Sequence, residues 1–169
     1  AVSVLVHKPS LREPEKFQER YRLYFYGVRF LLERVSWFCR DHRTAHDAGD
    51  GSAEVVFSNR SGMSYEDLRQ YVATLKLQTQ VQDVRIDWSV IQADAMTAYT
   101  AGKRMGLQIA DAVASSCYYA VQPTQYGFVE DRYVRMLKPV IYHREGRYLG
   151  YGLKFWPREA ENVRQADER

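Results

Sequence analysis

The stretch EVVFSNRSGMSYEDLRQYVATLKL, residues Glu54 to Leu77, predicts a strand followed by a helix. Its first part, Glu54 to Ser58, is rich in valine and phenylalanine and ends in turn-forming residues, which is typical of a strand. Ser64 stands three residues before Asp67 and can cap a helix from Tyr65 to about Leu77, with Ser61 as the alternative cap. A strand joined to a helix in this way is the unit from which layered α/β domains are built.

The segments on either side extend this alternation. Val2 to His7 is aliphatic and predicts a strand covered on both faces. A long helix is expected from Pro14 to about Arg43, with one buried stripe that includes Val28 and Phe38. Val84 to Ile91 is predicted to be the next strand, and a second apolar helix follows residues 102–105. The order of these elements predicts an α/β domain with layers of helix and sheet.

The end of the chain predicts a β-hairpin. Val140 to Tyr142 and Tyr148 to Phe155 flank a turn that contains Gly146. Arg144 and Arg147 in this turn can contact a phosphate backbone, or they can simply keep an edge hairpin soluble. We therefore expect a single domain over residues 1–157, followed by a polar tail over residues 158–169.

Composition is that of a folded globular chain. The 169 residues are 46% hydrophobic and 27% charged, and the net charge of +3 permits a nucleic-acid partner without requiring one. Several of the thirteen tyrosines stand beside arginine, among them Tyr21 and Tyr133, and such pairs can stack on bases or cover the edge of a core. No run approaches the roughly 20 apolar residues of a membrane span, so the cytoplasm is the expected location. Cys39 and Cys117 are expected to be free thiols.

Two carboxylates stand among apolar residues. In GLQIADAVASS, residues Gly106 to Ser116, a helix would place Asp111 on one stripe with Leu107, Ala114 and the following Tyr118. Glu33 has a similar setting among the large apolar residues of the long helix. A buried acid requires a proton, a metal ion or a basic partner. In the last case Glu33 can pair with Arg29 or Arg40, and Asp111 with Arg34 or Arg104.

Five segments together resemble the family catalogued as domain of unknown function thirty-eight hundred. The resemblance covers most of the chain in the family's order, and the combination of LLER with LQIAD is its most specific part. The segments are LLERVSWFCRD (Leu31 to Asp41), VVFSNRSGMSYEDLRQY (Val55 to Tyr71), IDWSVI (Ile86 to Ile91), GLQIADAVASSCYYAV (Gly106 to Val121) and LGYGLKFWP (Leu149 to Pro157).

The resemblance implies an RNase H-like domain with a mixed sheet and a long first helix. Glu33 and Asp111 match positions at which such nucleases hold Mg²⁺ or Mn²⁺, so the pair is predicted to share a cation and to be catalytic. Lys8 matches a lysine that the family often has after a strand, where it can contact phosphate. The implied function is a divalent-metal-dependent nuclease, or a related phosphoryl-transfer enzyme, acting on nucleic acid.

The sequence departs from the family at its start. Members open with an Asp-Glu-Ser element on a first strand, and nothing like it occurs before Val2. N-terminal strands of the family pattern are therefore missing, and we expect them to come from an N-terminal fragment of the same protein or from a second chain. Without them the metal site is incomplete. The alternative function is a non-catalytic RNase H-like module that binds nucleic acid or a protein.

Overall fold

The computed structural model describes residues 1–44, 48–78 and 83–158, and in this part strands alternate with helices. The predicted α/β class is confirmed. The elements are β1 (Ser3–Val6), α1 (Arg22–His42), β2 (Ala53–Ser58), α2 (Tyr65–Leu77), β3 (Ile91–Tyr99), α3 (Met105–Tyr119), α4 (Arg132–Leu137) and β4 (Leu153–Trp156), with short 3₁₀ helices at Lys8–Ser10, Pro14–Phe17, Ala101–Lys103 and Lys138–Val140. None of the helices in the described ranges is long and apolar enough to cross a membrane.

The chain divides into two compact units. Unit 2 is the continuous segment Leu23–Gln108, which contains nearly all of α1 together with β2, α2 and β3. Unit 1 combines Ala1–Arg22 with the chain from Ile109 onward, and so contains β1, α4, β4 and most of α3. The single domain expected over residues 1–157 stays a prediction. The expected polar tail lies outside the described residues except for Arg158.

In unit 2, β2 and β3 form a parallel pair connected through α2. The predicted strand and helix of the 54–77 stretch are confirmed, and Ser64 caps α2 by accepting a hydrogen bond of 3.1 Å from the backbone N–H of Asp67. This cap satisfies one of the free N–H groups of the first turn. Leu68 and Val72 of α2 are buried, as are Phe57 of β2 and residues of β3.

The strand predicted over Val84 to Ile91 is wrong, since β3 begins where that segment ends and runs to Tyr99. Val84 and Ile86 are buried, but they lie in irregular chain that is bound to α1. Aliphatic residues that are buried at alternate positions give the same sequence pattern as a strand, whichever element packs against them. The true strand, IQADAMTAY, was missed because alanine and aspartate are poor strand formers.

Helix α1 is shorter than predicted. The chain from Pro14 forms one 3₁₀ turn, and Tyr21, whose φ of 68° is left-handed, precedes the start of α1 at Arg22. The predicted stripe is buried at Val28 but exposed at Phe38. The most buried face of α1 also carries charged residues, and a pattern of hydrophobic residues does not predict that charged residues are buried.

In unit 1, β1 and β4 form a second parallel pair, with Ser3 opposite Leu153 and Val6 opposite Trp156. Among the described residues the strands thus form two separate parallel pairs, where one mixed sheet was predicted. The strand predicted at Val2 to His7 is confirmed as β1. Within the described residues it pairs on one side only, and Ser3 is the only one of its four residues that is buried, so the expected cover on both faces is not seen there.

The C-terminal hairpin is reduced to a single turn. Arg144 and Arg147 form one antiparallel bridge around Glu145 and Gly146, whose φ values of 53° and 76° are those of a type I′ turn. The strand predicted before the turn is replaced by the 3₁₀ helix Lys138–Val140 and an irregular segment. The hairpin prediction was wrong because β4 pairs with β1 and does not fold back on the chain before the turn.

Candidate nucleic-acid interface

Asp111 lies on α3 within unit 1, and its side chain is exposed. The prediction that the helix buries this acid is wrong, because only Leu107 of the expected stripe is buried while Ala114 and Tyr118 are exposed. Helix α3 is apolar or small on almost every side, and even Ile109 is exposed. A periodic pattern cannot select one buried face on such a helix.

Glu33 in unit 2 is buried, with 3% of its surface exposed, as its apolar sequence neighbours predicted. Its Oε1 accepts from Arg29 Nε at 3.3 Å and from the backbone N–H of Arg85 at 3.2 Å, and its Oε2 accepts from Arg34 Nη1 at 3.2 Å. Arg29 and Arg34 are buried as well. The pairing with Arg29 that the sequence allowed is therefore present, whereas Arg40 pairs with Asp41 and Asp87.

This cluster holds the irregular chain before β3 against α1. Arg29 also donates to the carbonyl oxygen of Asp83, and Trp37 Nε1 donates to that of Arg85 at 2.7 Å. Ser36 Oγ, which is fully buried, accepts from the backbone N–H of Asp87 at 3.0 Å. Backbone groups of residues 83–87 are thus bound by side chains of one helix face, as buried backbone groups require.

In this arrangement Glu33 is not suited to bind a divalent cation. Both carboxylate oxygens already accept hydrogen bonds, and two guanidinium groups would repel a second positive charge at the same place. In the part of the chain that the structure describes, no three His, Cys, Asp or Glu side chains are grouped to hold a metal. Glu33 and Asp111 belong to different units, and their predicted sharing of a cation stays a prediction.

A different set of functional groups meets at the carboxyl end of the β2–β3 pair. Ser58 lies opposite Tyr99, and the N–H of Asn59 donates to Tyr99 O at 2.8 Å. The hydroxyl of Tyr65, at the start of α2, donates to Ser58 O at 2.6 Å and accepts from the N–H of Arg60 at 3.0 Å. These bonds fix the chain immediately after β2. In α/β proteins ligands bind outside the carboxyl ends of parallel strands.

Two arginines stand at this edge, each over a tyrosine ring. The guanidinium carbon of Arg60 lies 5.0 Å from the ring centroid of Tyr24, and that of Arg104 lies 4.4 Å from the centroid of Tyr99. Both arginines are exposed. Because the guanidinium group is planar, such stacking orients it while its N–H donors stay available. We call these four residues the Arg–Tyr edge.

The electrostatics of the Arg–Tyr edge favour an anion. Within the described ranges neither Arg60 nor Arg104 has an ion-pair partner. The two strands carry acids only far from this edge. Glu54 lies four residues before the end of β2 and Asp94 five residues before the end of β3, which places each more than ~13 Å from the edge along its strand. Glu66 and Asp67 lie in the first turn of α2, and Glu66 is paired there with Arg69 at 2.8 Å.

Tyr24 is a neutral phenol in this setting. Burial raises its pKa, and the nearby Tyr65 phenol raises the pKa further, while the charge of Arg60 acts in the opposite direction. Because the net shift is upward, the ring beneath Arg60 keeps its proton throughout the neutral range. The stack is therefore a cation on a neutral aromatic face.

The residues predicted to contact nucleic acid lie elsewhere, in unit 1, and all are exposed. Lys8 follows the carboxyl end of β1, at the start of a 3₁₀ helix. Arg144 and Arg147 bracket the type I′ turn, which follows Tyr142, and the N–H of Tyr142 bonds to Ala1 O at the amino end of β1. Their role in binding stays a prediction.

Sequence reasoning missed the Arg–Tyr edge. Arg60 could have been found, since it follows a correctly predicted strand by two residues. Arg104 could not, because the strand that brings Tyr99 beside Asn59 was placed too early in the chain.

Comparison with known proteins finds no relative of this chain. No protein-family model, curated protein or solved structure matches this chain. The resemblance to the family of unknown function, and the RNase H-like fold that it implies, therefore stay predictions.

Proposed function

We propose that this protein is a non-catalytic nucleic-acid-binding module whose Arg–Tyr edge binds single-stranded nucleic acid. The observation that carries the proposal is the presence of two exposed arginines, stacked on tyrosines and without ion-pair partners among the described residues, at one end of a parallel strand pair. This is the second of the two functions expected from the sequence.

The chemistry of the edge matches a flexible polyanion. Each guanidinium offers several N–H donors in one plane, which suits bidentate contact with phosphate oxygens. Its outer face can also stack on an unpaired base, an interaction that every base allows and that requires no sequence preference. Two such groups, fixed by Tyr24 and Tyr99, would contact neighbouring parts of one strand.

The nuclease predicted from the resemblance has less support. It requires Glu33 to bind Mg²⁺ or Mn²⁺, and this carboxylate is occupied by Arg29, Arg34 and a backbone N–H. Leaving two arginines buried and unpaired would cost several kcal/mol, by the general behaviour of buried ion pairs. Asp111 is exposed and free of this objection, but one carboxylate does not make a two-metal site.

The proposal is tested by fluorescence anisotropy with labelled oligothymidine and oligouridine. We expect binding at low salt that weakens as salt rises, because phosphate contacts release counterions. Arg60→Gln and Arg104→Gln should each weaken binding about fivefold and lower the slope of log K against log salt by about 0.7.

Arg85→Gln is the matched control, since Arg85 is an exposed arginine of the same unit that is paired with Asp83 at 2.8 Å. Its affinity should equal that of the wild type. Lys8→Gln, Arg144→Gln and Arg147→Gln measure the contribution of the basic residues in unit 1. Absence of binding at low salt, or equal losses in Arg85→Gln and Arg60→Gln, would refute the Arg–Tyr edge as a nucleic-acid site.

A further inference from the structure

Unit 1 contains a cavity of about 270 Å³ that the proposed function does not use. It lies between β1, β4, the end of α3, α4 and the 3₁₀ helix Lys138–Val140, so all of its walls belong to one unit. Apolar side chains form most of these walls, among them Leu5, Cys117, Val121, Ile141, Leu153 and Phe155. Apolar walls with a few polar groups are the usual composition of a small-molecule site.

The polar groups of the cavity are Asp131, Arg135, Lys138 and Tyr148. Asp131 and Arg135 neutralise one another, because Arg135 Nε donates to the carboxylate at 2.7 Å and Nη2 lies 2.5 Å from it. Lys138 is different. Its ammonium group lies 5.9 Å from the ring centroid of Tyr148, and no carboxylate of the described residues is within ion-pair distance. The cavity therefore offers one uncompensated positive charge beside an apolar interior.

We infer that this cavity binds a medium-chain carboxylic acid. The alkyl chain would lie against the aliphatic walls, and the carboxylate would accept from Lys138 at the rim. An apolar cavity of about 150 Å³ holds benzene. The cavity of about 270 Å³ therefore suits an apolar ligand nearly twice that size, such as octanoate. One cation matches one carboxylate, whereas a phosphate dianion would leave a negative charge uncompensated.

Isothermal titration calorimetry with octanoate tests the inference on the full chain. Octanoate should bind with a negative heat-capacity change, which is the mark of apolar burial. Octanol carries the chain without the charge and should bind more weakly, and acetate carries the charge without the chain and should not bind.

Lys138→Gln should weaken octanoate binding about tenfold, since a charge-assisted hydrogen bond is lost, and should leave octanol binding unchanged. Lys8→Gln removes an exposed lysine of the same unit that does not line the cavity, and should have no effect. Ala120→Leu places a larger side chain in the cavity and should abolish binding of both ligands; circular dichroism would verify that this variant is folded.

The reactivity of Cys117 provides a second measurement of binding, independent of calorimetry. Cys117 is 3% exposed and lines the cavity, whereas Cys39, the other cysteine, belongs to unit 2. In a Cys39→Ser protein, octanoate should slow the alkylation of Cys117 by iodoacetamide several-fold, and Lys138→Gln should reduce that protection. No octanoate binding by the wild type, or equal octanoate affinity in wild type and Lys138→Gln, would overturn the inference.

Discussion

Glu33 stabilises the protein by holding neighbouring groups in place. Its carboxylate joins Arg29 and Arg34 of α1 to the backbone of Arg85, in a segment that has no regular hydrogen bonding of its own. Arg29 reaches the same segment through Asp83 O. Because its two oxygens accept from two guanidinium groups and a backbone N–H, the role of this carboxylate is structural.

Glu33→Gln should therefore destabilise the protein. The amide keeps the shape of the side chain but leaves two buried guanidinium groups without a counter-charge, and we expect a loss of about 3 kcal/mol in the free energy of unfolding. Urea unfolding followed by tryptophan fluorescence measures it, because Trp37 and Trp88 both lie in unit 2.

Glu66→Gln is the control for that substitution, since Glu66 forms an exposed ion pair with Arg69 and its loss should change stability little. If Glu33→Gln were as stable as the wild type, the structural role would be wrong. That result would instead fit a cluster of repelling acids, in which neutralising one member relieves strain.

Among the helices and strands, the sequence predicted best those whose bounds are set by neighbouring residues. The bounds of α2 follow from Ser64 and an amphipathic run, and both are properties of neighbouring residues. The strand β3 and the missing hairpin depend on which distant segment supplies the partner, and no local signal contains that information. The same limit hid Arg104, whose place at the edge follows from the pairing of β3 with β2.

The junction between β4 and the preceding chain leads to a prediction about Gly152. A Cβ at this position would overlap the carbonyl oxygen of Tyr142 and lie 2.6 Å from a methyl group of Ile141. Gly152 O also accepts from the N–H of Ser3 at 2.7 Å, so the backbone cannot move away without breaking the β1 contact. Gly152→Ala should lower the unfolding free energy by about 2 kcal/mol.

Gly106→Ala is the matched control for the Gly152 substitution. Gly106 lies in α3 with open space where a Cβ would go, and alanine favours a helix, so stability should rise by up to about 0.5 kcal/mol. Thermal unfolding followed by circular dichroism compares the two variants. A Gly152→Ala protein that melts with the wild type would show that the close approach is relaxed at little cost.

For the whole molecule, binding and cleavage are separable. We expect labelled single strands, duplexes and hybrids to stay uncut, whether Mg²⁺, Mn²⁺ or a chelator is present, because Glu33 is paired with arginines. Denaturing gels of incubated substrate measure this. Chelator-sensitive cleavage that disappears in Asp111→Asn would instead establish the nuclease predicted from the family resemblance.

The parallel pairing of β1 with β4 joins Ser3 to Leu153 and Val6 to Trp156, so one short sheet unites residues about 150 positions apart. Unit 2 is continuous in sequence, whereas unit 1 requires both flanking segments of the chain. During synthesis, which proceeds from the N-terminus, residues 23–108 can collapse and fold while β1 still lacks its partner. Until β4 leaves the ribosome, β1 is an apolar strand with both edges unpaired, and this interval is when the nascent chain is most exposed to aggregation.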